Sequence, residues 1–336
     1  MPELEAPAIP LTEVPYRKEM MRYKKTKNTM SGKIHNTSYA AFKQKARQHQ
    51  VMFRETELGV GYHEYPNVLK IEDAKKGLIF CELYREEIIE ELKKPIPKTS
   101  AKPSGQMLVN LLRSEHIPYN IFFPMLHDLE GCKDMFNVIL GKGQIKKITD
   151  IKIEYHPEPI IEYLDDHTAF DVYIQYIDHS DNLCGIGIEV KYTEKEYPLK
   201  EGSQEKKRIK DENGQTCLFR NYLEATVHSR YYPTDISYDA LISNKFRQIW
   251  RNHILGASMV IRGNITRFTS ITVYPQGNCH FSLDAMPKYI SMLTTHGKET
   301  FIPLTYEYLF DLMQKHFNMP HKNEWIEYLR RRYLFV

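Results

Sequence analysis

The sequence predicts a mixed α/β fold: a four- to five-stranded sheet flanked by helices, with helical additions at both ends. Three observations carry that expectation. Three β-rich segments, ITDIKIEY (148–155), TAFDVYIQYI (168–177) and CGIGIEVKYT (184–193), follow one another with no helical pattern between them. A long amphipathic segment, YDALISNKFRQIWRNHILGASMVI (238–261), then leads into a fourth β-rich stretch, FTSITVYPQG (268–277). Two more helical patterns, TYEYLFDLMQKHF and NEWIEYLRRRYLF, close the chain. The polar DHSDN (178–182) joins the second and third strands as a hairpin, so the first three strands are expected to be antiparallel. The fourth arrives through a helix and is expected to pair parallel.

Before the sheet, NTSYAAFKQKARQHQVMFRE (36–55) reads as a helix with Ser38 as N-cap, and CELYREEIIEELKKP (81–95) as a helix stopped by Pro95. The stretch between them (59–80) is turn-rich. KKPIPKTSAKPSG (93–105) is the linker candidate. GQMLVNLLRSEHI (105–117) reads as a helix with a Met107, Leu108, Leu111, Leu112 stripe, and DMFNVILGKG as another, ended by Gly141 or Gly143. Three regions follow: an N-terminal arm and mostly helical extension over 1–100, a core over 101–280 carrying a charged insertion at 195–237, and C-terminal helices over 281–336.

Composition narrows the function. The chain has 336 residues, 42% hydrophobic and 26% charged, which argues against disorder and against a membrane partner. The first twenty residues are Pro-rich and acidic, without a signal pattern, so a cytoplasmic protein is expected. A net charge of +3 does not by itself argue for nucleic acid, so any basic surface must be local. Five scattered cysteines lack C-x-x-C spacing and read as reduced. Fourteen histidines without H-E-x-x-H argue against a zinc hydrolase, and GKGQIKK (141–147) lacks P-loop spacing.

The chemistry concentrates in GIGIEVK (185–191). Residues i and i+2 of a strand share a face, so Glu189 and Lys191 project together, opposite Ile186, Ile188 and Val190. Gly185 and Gly187 are expected to leave the Glu189 face bare, open to a backbone or ligand. A hairpin centred on Ser180 sets Asp171 roughly opposite Glu189. Paired carboxylates repel unless a cation lies between them, and Mg²⁺ favours such oxygen ligands. A lysine alongside suits metal-assisted phosphodiester hydrolysis, orienting or helping to deprotonate the water. E-x-K also occurs on solvated strands, but this apolar setting counts against that reading. On the downstream helix, Asn244, Gln248 and Arg251 form one polar stripe. It is either a solvated face or an edge over the site that binds phosphate or the carboxylates. Lys206, Lys207 and Arg208 in the insertion, and the basic run near residue 24, are candidates for contacting a phosphate backbone.

Asp171, Glu189-Val190-Lys191 and the helix bearing Gln248 resemble the PD-(D/E)XK nuclease superfamily. More closely, RSEHIPYNIFFPM (113–125), TAFDVYIQY (168–176), GIGIEVKYTE (185–194), RQIWRNHILGAS (247–258) and WIEYLRRRYLF (325–335) resemble a bacterial family of candidate restriction endonucleases. The resemblance implies a restriction-endonuclease-like core. It implies Asp171, Glu189, the Val190 carbonyl and Glu115 as metal ligands, and Lys191 and Gln248 as further catalytic residues. Phe170 stands where the superfamily's name has proline. Mg²⁺, with Mn²⁺ able to substitute, is the expected cofactor, DNA the expected substrate, and a homodimer a candidate assembly. An RNA-directed nuclease of toxin type and a non-cleaving nucleic-acid-binding or scaffold protein remain the alternatives.

Overall fold

A computed structural model describes residues 38–94, 105–141 and 143–335. Five strands form one sheet in the order β1 (Ile145–Tyr155), β2 (Phe170–Asp178), β3 (Leu183–Val190), β4 (Arg267–Tyr274), β5 (Phe301–Thr305). β1, β2 and β3 are antiparallel, and β4 and β5 continue parallel to β3, as expected. The β2–β3 turn is closed by Asp178, whose Oδ1 accepts from the Ser180 and Asn182 N–H groups, both at 2.9 Å. That turn fixes a register in which Val172 faces Ile188 and Ile174 faces Ile186. One step further along, Asp171 and Glu189 meet.

The longer helices are α1 (Tyr39–Phe53), α2 (Arg85–Lys93), α3 (Leu129–Leu140), α4 (Arg220–His228), α5 (Arg247–Ile261), α6 (Tyr306–His316) and α7 (Lys322–Tyr333). Ser38 caps α1 by accepting from the Ala41 N–H at 3.3 Å, and Gly141 ends α3 at φ 71°. Phe136 of α3, Leu309 of α6 and Ile326 of α7 share one core with Val172, Ile174, Ile186 and Ile188 on one sheet face. Trp250 and Ile254 of α5 and Tyr222 of α4 share a second core with Phe170, Tyr173 and Phe268 on the other. β3 is thus buried on both faces, which is why it reads as an apolar run. Asn120 ties the N-terminal segment to α7: its Oδ1 accepts from the Cys81 N–H at 2.7 Å, and its amide donates to Tyr333 Oη at 2.8 Å. No helix among the described residues is long and apolar enough to cross a membrane.

Four sequence expectations need correction. Residues 105–116 are not helical, and the helix there spans only Ile117–Ile121. Their backbone pairs instead with 67–69, Leu69 N–H donating to Val109 O at 2.8 Å and Leu111 N–H to Asn67 O at 3.1 Å. Met107, Leu111 and Leu112 are buried all the same. The segment 238–261 is two helices, Tyr238–Leu241 and α5, and the Arg247 guanidinium donates to Ile242 O and Asn244 Oδ1 in the turn between them. The fifth strand, β5, lies within the stretch read as C-terminal helices; its Pro303 is tolerated because β5 is an edge.

The fourth correction concerns the glycines. Their face of β3 is covered, not bare. A Cβ on Gly185 would lie 2.5 Å from Tyr173 Oη, and one on Gly187 would lie 2.5 Å from Phe170 and 2.7 Å from Phe268. Gly256 of α5 rests directly on the Phe268 ring. These glycines admit an aromatic layer between β3 and α5.

The expected arm before residue 38, with its basic run, and most of the linker, including Pro95, lie outside the described residues. All five cysteines are free; Cys81, Cys132 and Cys184 are buried, whereas Cys217 is exposed.

The Gly256 contact gives an outcome of decided sign. Helix propensity alone favours Gly256→Ala by about 1 kcal/mol, whereas overpacking against Phe268 costs about 1–3 kcal/mol. Urea unfolding should therefore show net destabilisation. Gly105→Ala, where a Cβ would meet nothing within 4 Å, should be close to neutral.

Candidate active site

Three carboxylates from three neighbouring strands gather at one end of the sheet. Asp171 is the second residue of β2, and Glu189 the seventh of β3. The third, Glu154, lies in β1 between the pairs Ile153–Val172 and Tyr155–Phe170, beside Asp171. Its φ of 54° is left-handed, uncommon for a residue with a side chain and a break in the regular pleat. Sequence reasoning missed Glu154. In IKIEY it looks like one more outward-facing charge, and its signal is a backbone angle that no residue pattern reveals.

Glu189 and Lys191 are almost sealed, 3% and 2% exposed. Lys191 Nζ donates to Glu189 Oε1 and to Gln248 Oε1, the latter at 2.5 Å. The other carboxylate oxygen of Glu189 accepts from the Asn252 amide. Asn252 is the second residue that sequence reading passed over, although it follows Gln248 by one helical turn. Asp171 Oδ2 accepts from the Val190 N–H at 2.6 Å, tying the two strands at the site. The ring of Tyr197 lies over Lys191, 4.9 Å from Nζ to centroid. Arg247 holds this cover by donating to the Tyr197 carbonyl at 2.5 Å. The KYTE segment leaving β3 is pinned too. Glu194 accepts from the Ser114 and Tyr192 N–H groups, both at 2.9 Å, and Thr193 Oγ1 donates to Leu112 O at 3.0 Å. These bonds bring the turn carrying Glu115 towards the site.

Charge is badly balanced here. Burial pushes Asp171 well above the usual carboxylate range, Glu189 and Glu154 push it further, and Lys191 and the Val190 N–H offset only part. Burial, with Glu189 and Glu115 nearby, pushes Glu154 up to about 7. Burial alone would lower Lys191, but Glu189, Tyr197 and Asp171 outweigh it and hold the ammonium up.

The remaining candidates are placed as follows. Glu115 pairs with Arg113 and precedes the Ile117–Ile121 helix, so it is not on a helix as expected. It is near enough to raise Glu154. Asn244 precedes α5 and accepts from Arg247 at 2.9 Å. Arg251 pairs with Asp166 at 2.7 Å and Glu205 at 3.0 Å, and donates to Tyr222 Oη at 2.9 Å. It braces the loop entering β2, and the single stripe with Asn244 and Gln248 is not formed. The charged insertion contains the helix Gln204–Ile209, capped by Ser203. There Lys206 pairs with Glu201 at 2.5 Å, Arg208 pairs with Asp165 and stacks on Phe219, and Lys207 is exposed.

Among the described residues, no three His, Cys, Asp or Glu side chains are arranged to share one ion. The chemistry of the donor set nevertheless fits a hard divalent cation. Asp171, Glu154 and Glu189 are carboxylates on adjoining strands, and the mutual repulsion that raises two of them is what a cation relieves.

The raised carboxylates imply a pH dependence of stability. Glu154 binds its proton more tightly folded than unfolded, so folding is favoured where it is protonated. The native state should therefore lose stability as pH rises from about 4.5, the ordinary value of a glutamate carboxyl, to about 7. Thermal unfolding across that range should show the fall, and Glu154→Gln should reduce it.

The chain matches the sequence profile of the PD-(D/E)XK nuclease superfamily over residues 37–335. No curated protein and no solved structure was found to match it. The match covers nearly all of the chain, with a mixed five-stranded sheet flanked by helices and an acidic site at the sheet end. The chain belongs to the PD-(D/E)XK nuclease superfamily.

Proposed function

We propose that the protein is an endonuclease that hydrolyses DNA phosphodiester bonds with a divalent cation, Mg²⁺ or Mn²⁺ in its place. The observation that carries this reading is the meeting of Asp171, Glu189 and Lys191 under Gln248, on the hairpin and helix of a superfamily whose nucleases typically use divalent metals. Asp171, Glu189, the Val190 carbonyl and Glu115 would hold the cation, with Glu154 at hand. When bound, the cation would supply positive charge to the phosphoryl oxygens and the leaving oxygen.

The residues of the chain do the rest. Lys191, kept as an ammonium by Glu189, donates hydrogen bonds to orient the water and to steady the developing phosphoryl charge. It can accept the water's proton only after its pairing with Glu189 has weakened and the ammonium has released a proton to solvent, leaving a neutral amine. Water attacks phosphorus in line, the P–O3′ bond breaks, and a 5′-phosphate and a 3′-hydroxyl remain. Gln248 fixes the lysine from the helix side. Lys207, exposed on the Gln204–Ile209 helix, is available to a phosphate backbone. Asn244, Arg251, Lys206 and Arg208 each have a partner within the chain, in Arg247, Asp166, Glu201 and Asp165. A role in restriction or in defence against foreign DNA rests on the family resemblance alone.

Plasmid DNA incubated with Mg²⁺ should be nicked or linearised, and chelator should stop it. Asp171→Ala and Lys191→Ala should each slow cleavage by roughly 10²–10⁴-fold. Wild-type rates in either variant would sink the assignment, and faster cleavage of RNA in a parallel digest would redirect it to RNA.

A further inference from the structure

We propose that Asn252 is a positioning residue for Glu189, the amide that fixes the carboxylate to face a cation. The inference rests on the reading of Glu189 as a metal ligand and goes beyond it by assigning the group that holds that ligand in place. Asn252 is 3% exposed, and its amide donates to Glu189 Oε2 while Lys191 donates to Oε1. Both oxygens are pinned from opposite partners, so the carboxylate plane is fixed. A carboxylate offers about four lone-pair sites, and these two bonds leave room for a cation.

The geometry argues against a merely structural asparagine. Buried side-chain amides most often bond to backbone, and Asn120 in this fold does so, bonding to Ile79 O and the Cys81 N–H. Asn252 instead addresses the most enclosed carboxylate of the site. It also belongs to an ordered row. Gln248, Asn252 and Gly256 succeed one another at i, i+4 and i+8 on α5, along one face. Gln248 turns its amide oxygen to the Lys191 ammonium, Asn252 turns its N–H to Glu189, and Gly256 seats the helix on Phe268. One helix face therefore matches both charges of the E-x-K pair, oxygen to cation and N–H to anion. An aspartate at 252 would set acceptor against acceptor, and a leucine would keep the volume while removing the donor.

The test compares wild-type protein with Asn252→Leu, and with Asn252→Ser should the apolar substitution fail to fold. Crystal structures of the metal-free proteins read the Glu189 pose, and calorimetric titration with Mn²⁺ alone reads affinity. The expected results are a Glu189 carboxylate displaced by about 1 Å or more and Mn²⁺ binding weakened roughly 10–100-fold, the usual cost of losing a group behind a metal ligand. Turnover should fall with the KM for DNA unchanged, whereas a loss of packing alone would lower the melting temperature and leave both Glu189 and Mn²⁺ affinity alone. An unmoved Glu189 together with wild-type Mn²⁺ affinity overturns the proposal. If wild-type protein binds no Mn²⁺, the metal-dependent nuclease reading fails by itself, and the Glu189 pose in the variant still decides what Asn252 does.

Discussion

The whole site is organised around one problem, a buried glutamate and a buried lysine two residues apart on a central strand. Burying an ion pair costs several kcal/mol per ion before any attraction is returned, and the return depends on geometry and on further hydrogen bonds. The Glu189–Lys191 pair receives both kinds of help from α5, through Gln248 and Asn252. Tyr197 adds an aromatic face over the ammonium, and Tyr306 Oη donates to the Lys191 carbonyl at 2.9 Å. Take α5 away and the pair loses its partners. The aromatic layer that seats α5 is therefore as much a part of the site as the charges are.

That dependence explains why the glycines matter in a way their spacing does not announce. Alternate glycines beside an E-x-K look like space cleared for a ligand. Here the space is taken by Phe170, Tyr173 and Phe268, side chains that need the missing Cβ atoms to lie flat on the strand. The bare strand face and the packed one are written with the same residues. Only the tertiary partner, a helix with its own glycine at 256, decides between them. Phe170 shows the same economy, since the position before Asp171 supplies a ring to the second core.

What the sequence made legible follows from local rules. The polar turn DHSDN and period-two alternation sufficed for the β2–β3 register, and hence for setting Asp171 beside Glu189, because a hairpin leaves little choice of pairing. Parallel entry of β4 followed from the intervening helix. What escaped was decided at long range. Residues 105–116 carry a helical stripe, yet their backbone bonds to a segment about forty residues earlier, and the burial of Met107 and Leu111 is satisfied either way. Arg251 looked like a phosphate ligand until Asp166 and Glu205 claimed it from other elements. Glu154 is set apart by its φ angle and Asn252 by its one contact, and neither is a property of residue order.

Three carboxylates and one ammonium in close quarters set the electrostatics of the site. Burial and mutual repulsion incline Glu154 and Asp171 to keep their protons, while neighbouring acidic groups, outweighing burial, incline Lys191 to keep its own. Glu189 is the enclosed carboxylate that pairs with the Lys191 ammonium and accepts from the Asn252 amide. An entering divalent cation would take over that pairing. It would favour loss of the protons on Asp171 and Glu154, and it would compete with Lys191 for Glu189. A lysine released from its carboxylate loses the main influence that holds its pKa up, while burial continues to lower it. On the proposed reading, cation binding and activation of Lys191 would be coupled through Glu189, which would be both a ligand of the cation and the group that holds the lysine's proton. Such a coupling would require no moving domain, only a carboxylate with two claimants.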